Sequence, residues 1–296
     1  MKLYSAAAIV LLSHVAESFV SPTTLSVTST LSSTAEPLVE SSSNNFISDP
    51  LLVDPMTKEP LSLSLKGPIL GSNAGVRLTL KSASDSERVF EGRSDSYINL
   101  LEPIKYIPMR DLFTDPSVSF ATKEDGDRAD KEFDLAKEYF APVIDKKRSS
   151  GENNVVVDMS CATGLFTRQA RRRIRADSDI ASSNTQLDLV RCDVAKIPFK
   201  SDSIDAFHAG AAMHCWPEIE ESLKEIHRVL VPGGRYFAST FLGTYFQNVA
   251  NLEKTSNGGS DVEPRLRDLL LNAGFDDDKV DVEVIGAACV IIRCEK

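Results

Sequence analysis

Apolar and polar positions follow distinct periods along this chain, and the periods change at definite points. Val155, Val156 and Val157 run together and the acid Asp158 closes them, the pattern of a strand buried on both faces. Leu187-Asp188-Leu189-Val190-Arg191 and Ser203-Ile204-Asp205-Ala206-Phe207-His208-Ala209 predict two further strands. Between Pro217 and Leu230 the period lengthens: Ile219, Leu223, Ile226 and Leu230 fall on one face at spacings of four, three and four, which predicts an amphipathic helix. Pro217 suits the first helical position, and Pro232-Gly233-Gly234 stops the helix. A second helix runs through Leu266, Leu269, Leu270 and Ala273 and ends at Gly274. Residues 280–285 and 287–292 then predict two apolar strands joined at Gly286 as an antiparallel hairpin. Alternation of strand and helix implies an α/β domain with a mainly parallel sheet covered on both faces, and ligands beyond the carboxyl ends of its strands.

The amino-terminal third has other patterns. Lys2 precedes an apolar stretch from Leu3 to Leu12, too short for a stable membrane span, and Ala16-Glu17-Ser18 offers small residues at the spacing a signal peptidase prefers. Phe19-Val20-Ser21-Pro22 and a Ser/Thr-rich, charge-poor segment follow through about Asn45, so residues 1–45 are expected as a disordered presequence. Residues 50–103 carry short alternations, Leu61-Leu63-Leu65 and Val76-Leu78-Leu80, and predict a small β-rich module. The main domain takes residues 104–296. A short helix is expected over residues 131–139, with Phe133, Ala136 and Phe140 on one side; it either lids a ligand cleft or packs on the sheet.

Composition narrows the classes. The 296-residue chain is 42% hydrophobic, ample for one full domain and a smaller piece, and its formal charge of −10 argues against a nucleic-acid surface. The one dense basic run, Arg171-Arg172-Arg173 with Arg175, precedes Asp177 and Asp179 and reads as a solvated helix face. Five cysteines, an odd number with no C-x-x-C pair, favour free thiols in a reducing compartment.

The turn after the first strand carries Ser160, Ala162 and Gly164 at alternate positions, small residues that let a ligand approach the backbone. With Asp158 it forms D-x-(small)-x-(small)-x-G, which resembles motif I of the class I S-adenosylmethionine-dependent methyltransferases. Later segments match that family in order. Cys192-Asp193-Val194 resembles the end of its third strand, residues 203–209 its fourth, and residues 225–236 the helix, turn and fifth strand. The wording around Ser160–Phe166 and His208–Pro217 is similar to a plastid-targeted branch found in plants and algae. The resemblance implies a Rossmann-like sheet with a carboxyl-terminal antiparallel hairpin. It implies S-adenosyl-L-methionine as cofactor, held by Asp158, by the backbone at Ser160, Ala162 and Gly164, and at the adenine by Asp193 with Val194. It also implies a small-molecule methyl acceptor, lipophilic by analogy with plastid relatives, and association with plastid lipid bodies. The amino terminus resembles the two-part presequences of algae with complex plastids, which places the protein in the plastid; plain secretion is the alternative. Asp54-Pro55-Met56-Thr57-Lys58-Glu59-Pro60-Leu61 resembles a zinc knuckle in which Asp54 and Thr57 replace cysteines, so no metal is expected there.

One departure stands out. Only 22 residues separate Gly164 from Leu187, where the family places a helix, a second strand and another helix, and no hydrophobic run lies between Thr167 and Gln186. Two crossovers and a strand need roughly 30 residues. The second strand is therefore expected to be missing: either a segment has been lost from this sequence after Arg168, or the protein lacks the strand and its ribose clamp, a costly loss for the neighbouring strands of a buried sheet. His208 and His214, at the end of the fourth strand, are the candidate general bases, since an imidazole with an unperturbed pKa near 6.5 suits proton removal. For each, a hydrogen-bonded strand-end histidine is the favoured reading. His227 is mid-helix and structural; Trp216 lines an acceptor pocket or packs. A nicotinamide oxidoreductase would need G-x-G-x-x-G and an acid after a second strand, both absent. A catalytically silent cofactor-binding or lipid-body-associated protein that lacks the ribose-binding strand remains the rival reading.

Overall fold

The computed structural model describes residues 7–13, 51–66, 76–85, 87–93, 97–101, 123–149, 154–159, 185–213, 216–241, 262–285 and 289–296. Eleven strands form one sheet: β1 (Ala7–Ser13), β2 (Leu61–Lys66), β3 (Arg77–Ser82), β4 (Val89–Arg93), β5 (Ile98–Asn99), β6 (Asn154–Asp158), β7 (Thr185–Arg191), β8 (Ile204–Ala209), β9 (Leu230–Phe241), β10 (Val280–Ile285) and β11 (Cys289–Glu295). Among the described residues three α-helices accompany them: α1 (Lys123–Ser149), α2 (Ile219–Val229) and α3 (Val262–Asn272). The order across the sheet is β10-β11-β9-β8-β6-β1-β7-β5-β4-β3-β2.

The strands and helices expected from periodicity are present within a few residues. All six residues of β8 are buried, as befits a strand covered on both faces. In α2, Ile219, Leu223 and Ile226 are buried as the spacing predicts. After α3 the chain closes as a C-cap: Gly274 takes φ +111°, and the Phe275 amide donates to the Leu270 carbonyl. β10 and β11 pair antiparallel, as expected of the hairpin, and β11 continues onto β9. Between β8 and β9 the register jumps at Pro232-Gly233-Gly234, where Gly233 takes φ +80°; the turn residues expected to stop α2 become a bulge at the start of the strand.

Three expectations are corrected. The sheet is mixed rather than mainly parallel: β5–β7, β6–β8 and β8–β9 are parallel, and the other pairings are antiparallel. The reason is that the β-rich amino-terminal strands are not set apart; β2–β5 form a meander that joins the sheet through the parallel pair β5–β7. Next, Ala7–Ser13, expected within a disordered presequence, is β1, inserted antiparallel between β6 and β7. Finally, the short helix over residues 131–139 is the middle of the 27-residue α1, which continues through Pro142. The 22 residues between Gly164 and Leu187 lie largely outside the described residues, as do the Arg171–Arg175 run, Cys161, Cys215 and Gly286.

The core runs the length of the sheet, with Tyr236, Phe90, Phe199, Phe207 and Phe237 among its fully buried side chains. Trp216 is buried and packs in that core. His227 meets Phe275 edge-on at 4.9 Å beside Gly274, a structural place as expected. Asp54 is buried and organises the turn of the knuckle-like segment: its carboxylate accepts from the Met56 and Thr57 amides and from Arg88 Nε. Lys58, with φ +61°, carries this turn to Glu225 of α2, bonding it at 2.7 Å. Among the described residues no helix is long and apolar enough to cross a membrane. Cys192, Cys289 and Cys294 are free thiols, and burial pushes the Cys192 thiol up to about 12.

Candidate functional site

Parallel strands end together, so β6, β8 and β9 deliver their carboxyl-terminal residues to one side of the sheet. Asp158 closes β6 and lies in register with His208 of β8, which lies in register with Phe237 of β9. The Met159 amide donates to the His208 carbonyl at 2.8 Å, which fixes the backbone where β6 gives way to the small-residue turn. His208 stacks on Phe237, ring centroids 5.9 Å apart at 16°, and Phe237 in turn meets Phe140 of α1 edge-on at 6.3 Å. Ridge by ridge, this apolar contact seats α1 against the ends of β8 and β9, with Phe133, Ala136 and Phe140 buried.

Seating α1 there brings in Glu132. Asp158 Oδ1 lies 2.8 Å from His208 Nδ1, and Glu132 Oε1 lies 3.3 Å from His208 Nε2. Ser239 Oγ donates to Glu132 Oε1 at 2.6 Å and accepts from the Ala211 amide at 2.9 Å. One buried imidazole is thus held between two carboxylates, with the outer carboxylate fixed by a serine of β9. Burial by itself would lower the His208 pKa, but the hydrogen bonds and charges of Asp158 and Glu132 outweigh it and hold the ring at about 9. Burial likewise works against the Glu132 carboxylate, and the bond to His208 nevertheless keeps its pKa below the usual value. Both ring nitrogens face carboxylates, and neither is an open acceptor for a substrate proton. Gly210 allows the packing: a Cβ there would sit 2.8 Å from Glu132 Oε1 and 2.9 Å from His208 Cε1.

A second ionic contact aligns the strands at their other end. Asp205, fully buried at the start of β8, accepts from the Val155 amide at 2.7 Å and faces Lys147 Nζ at 2.7 Å. β6 is therefore tied to β8 at both ends, through Asp205 below and His208 above.

The acid expected at the adenine, Asp193, follows β7, whose carboxyl end points to the same side as that of β6 because both run antiparallel to β1. Asp193 is half-buried; its Oδ1 accepts from the Ala195 amide at 3.0 Å and starts a 3₁₀ turn over Val194–Lys196, with Val194 buried. Ser160, Ala162, Gly164 and His214 lie outside the described residues. The structure brings Asp158 and His208 together and adds Glu132 and Ser239, which sequence reasoning missed. The only available signal was an acid on the helix expected as a lid, and its spacing from Phe133 did not say which strand it would face.

Residues 153–238 match the family described as Methyltransferase domain. An uncharacterized chloroplastic methyltransferase of Arabidopsis thaliana is 35% identical over 163 residues, 45% of this chain and 44% of the relative. A second from the same plant is 38% identical over 139 residues, 38% of this chain and 36% of the relative. A probable phthiotriol/phenolphthiotriol dimycocerosates methyltransferase of Mycobacterium ulcerans is 44% identical over 52 residues, 18% of this chain and 20% of that protein. The chain spans less than half the length of these curated relatives.

Proposed function

From a chain that carries a methyltransferase domain over residues 153–238 and is similar to class I S-adenosylmethionine-dependent methyltransferases of the plant plastid branch, we propose a methyl transfer from S-adenosyl-L-methionine to a lipophilic small molecule in the plastid. The observation that carries the reading is the buried Asp158–His208–Glu132–Ser239 chain at the carboxyl ends of parallel strands inside the matched domain or packed against it. Bound there, the cofactor supplies an electrophilic methyl group on a sulfonium. The residues present suit it: acids stand at or just beyond the ends of β6 and β7, and the residues that follow β6 in sequence, Ser160 to Gly164, are small.

Asp158 orders the methionine side of the site and Asp193, with Val194, the adenine side, while Ser160, Ala162 and Gly164 leave the backbone open to the ligand. We assign His208 to holding Asp158 rather than to taking a proton, since both of its ring nitrogens face carboxylates. A proton acceptor for the transfer is then sought elsewhere, with His214 the candidate from the sequence. Catalysis by this chain consists mainly of alignment and of replacing water around the cation. Plastid residence is supported by the chloroplastic relatives; the two-part presequence and a lipid-body association belong to the same proposal.

Titration calorimetry of the full chain with S-adenosylmethionine tests the reading. The parent is expected to bind and Asp158→Asn to bind about ten- to a hundredfold more weakly, the loss typical of a charged hydrogen-bond partner. A variant that melts like the parent and binds as tightly removes Asp158 from the site, and a parent without binding ends the proposal.

A further inference from the structure

Beyond β7 the chain turns at Asp193, passes through the Val194–Lys196 3₁₀ turn and reaches Phe199, and the knuckle-like segment lies along it. Leu52 and Phe199 form an antiparallel bridge; the Val53 amide donates to the Pro198 carbonyl and the Lys200 amide to the Leu51 carbonyl, each at 2.9 Å. The segment then turns back on itself. The buried Asp54 carboxylate closes that turn by accepting from the Met56 amide at 2.8 Å and from Arg88 Nε at 3.0 Å, and the Lys58 amide donates to the Asp54 carbonyl at 2.8 Å. Lys58 takes φ +61°, a left-handed conformation that a long side chain adopts only at some cost. From there its ammonium reaches Glu225 Oε2 of α2 at 2.7 Å and the Ile197 carbonyl at 3.4 Å. Glu225 is shared: both its oxygens also meet Arg228, whose guanidinium donates on to the Ile197 and Phe199 carbonyls at 2.9 Å each. Cations from two elements distant in sequence thus converge on the stretch of backbone just beyond Asp193.

We propose that residues 51–58 brace the adenine side of the cofactor site and that Lys58 is a positioning residue for adenine recognition; the adenine assignment of Asp193 rests on the proposed function. Asp193 Oδ1 is taken by the Ala195 amide, which leaves Oδ2 to accept from the amino group of the base. A hydrogen bond to the base weakens quickly when the acid is misplaced, so the backbone on which Asp193 sits has to be held. β7 fixes only the entry to that backbone. Ile197 and Phe199 are buried, and the carbonyls around them need partners. Arg228 serves two of these carbonyls, and the brace supplies the remaining donors, Val53 to Pro198 and Lys58 to Ile197. Lys58 also sets the charge. A Glu225–Arg228 pair alone is neutral, and the added ammonium leaves a net cation facing carbonyl oxygens, which draws their dipoles toward it. Residues 51–58 lie beyond the presequence expected over residues 1–45, so a chain processed there keeps the brace.

Titration calorimetry of the full chain with S-adenosylhomocysteine and with S-inosylhomocysteine tests the brace, because the two ligands differ only at the base, where a carbonyl oxygen replaces the amino group. The parent is expected to favour S-adenosylhomocysteine by about ten- to a hundredfold. Glycine suits the left-handed backbone at position 58, so Lys58→Gly keeps the turn and removes the ammonium. Its preference is expected to shrink by about three- to tenfold. Amide exchange over residues 194–200, followed by mass spectrometry, should quicken by about tenfold or more while β10 and β11 exchange as slowly as in the parent. Lys58→Arg retains a cation and the parent's preference. A general loosening of the domain weakens both ligands alike and leaves their ratio unmoved. Lys58→Met, which keeps the apolar stem, takes the place of Lys58→Gly if the glycine variant does not fold. A folded Lys58→Gly with the parent's preference overturns the proposal, as does a Lys58→Arg that loses as much of it. Equal affinity of the parent for the two ligands removes the adenine contact from Asp193 and the positioning role with it. A parent that binds neither ligand refutes the proposed function; exchange over residues 194–200 then decides the brace, which stands if Lys58→Gly quickens it and falls if it is unchanged.

Discussion

Replacing Glu132 by Gln removes one of the two negative charges that face the His208 imidazole while leaving an oxygen to accept from Ser239 Oγ. Glu132 has a side chain 21% exposed and sits at the edge of the site, so the variant is expected to fold. A hydrogen bond to a charged group contributes about 1.5–3 kcal/mol, which is about 1–2 pH units of imidazole titration. From the parent value of about 9, the His208 midpoint is therefore expected to fall to about 7–8. The consequence for stability follows from linkage. His208 has a higher pKa folded than the roughly 6.5 of an unfolded histidine, so the native state binds the proton more tightly. Its contribution is fully present below about pH 6.5 and is lost as pH rises through 9. A gap of about 2.5 units corresponds to about 3 kcal/mol at most, and Glu132→Gln should remove about half of it at pH 6. The imidazole resonances follow the titration directly: the chain has four histidines, and a His208→Gln spectrum assigns the one that matters. Urea unfolding at pH 6 and at pH 10 gives the linked stabilities, with the parent losing more across that range than Glu132→Gln. A parent midpoint near 6.5, or an unchanged midpoint in Glu132→Gln, would show that the two carboxylates do not hold the ring charged.

Two further substitutions probe how the site is built. Gly210→Ala places a methyl group 2.8 Å from Glu132 Oε1 and 2.9 Å from His208 Cε1, so the carboxylate is expected to swing away; a stability loss of about 1–3 kcal/mol and a lowered His208 midpoint should appear together, and the first without the second would point to simple overpacking. Asp205→Asn removes the buried charge facing Lys147 and weakens the bond to the Val155 amide, and urea unfolding should report a loss of about 3 kcal/mol; a loss below about 0.5 kcal/mol would mean that β6 and β8 hold their register without it.

Much of the carboxyl-terminal half could be read from local pattern. The β-branched run before Asp158, the four-three-four spacing of α2, the glycine after α3 and the apolar hairpin are each set by interactions within a few residues, so the sequence states them directly. The acids at the ends of β6 and β7 were equally legible, because a strand end is a local feature and the chemistry of a small-residue turn follows from side-chain size. Other features depend on which surfaces meet. An acid on an amphipathic helix carries no sign of the strand it will face; only the docking of Phe140 on Phe237 turns Glu132 toward His208 and converts a histidine of ordinary basicity into one held charged. The meander of β2–β5 looked self-contained because its pairings are local, and it is the single parallel contact of β5 with β7 that makes it part of the larger sheet. The apolar stretch after Lys2 has the same composition whether it is a targeting segment or a central strand. Sequence by itself gave only the expectation that a strand is missing between β6 and β7; the tertiary structure pairs Ala7–Ser13 with both, because a backbone ladder accepts any extended apolar segment that can reach it, however distant in the chain.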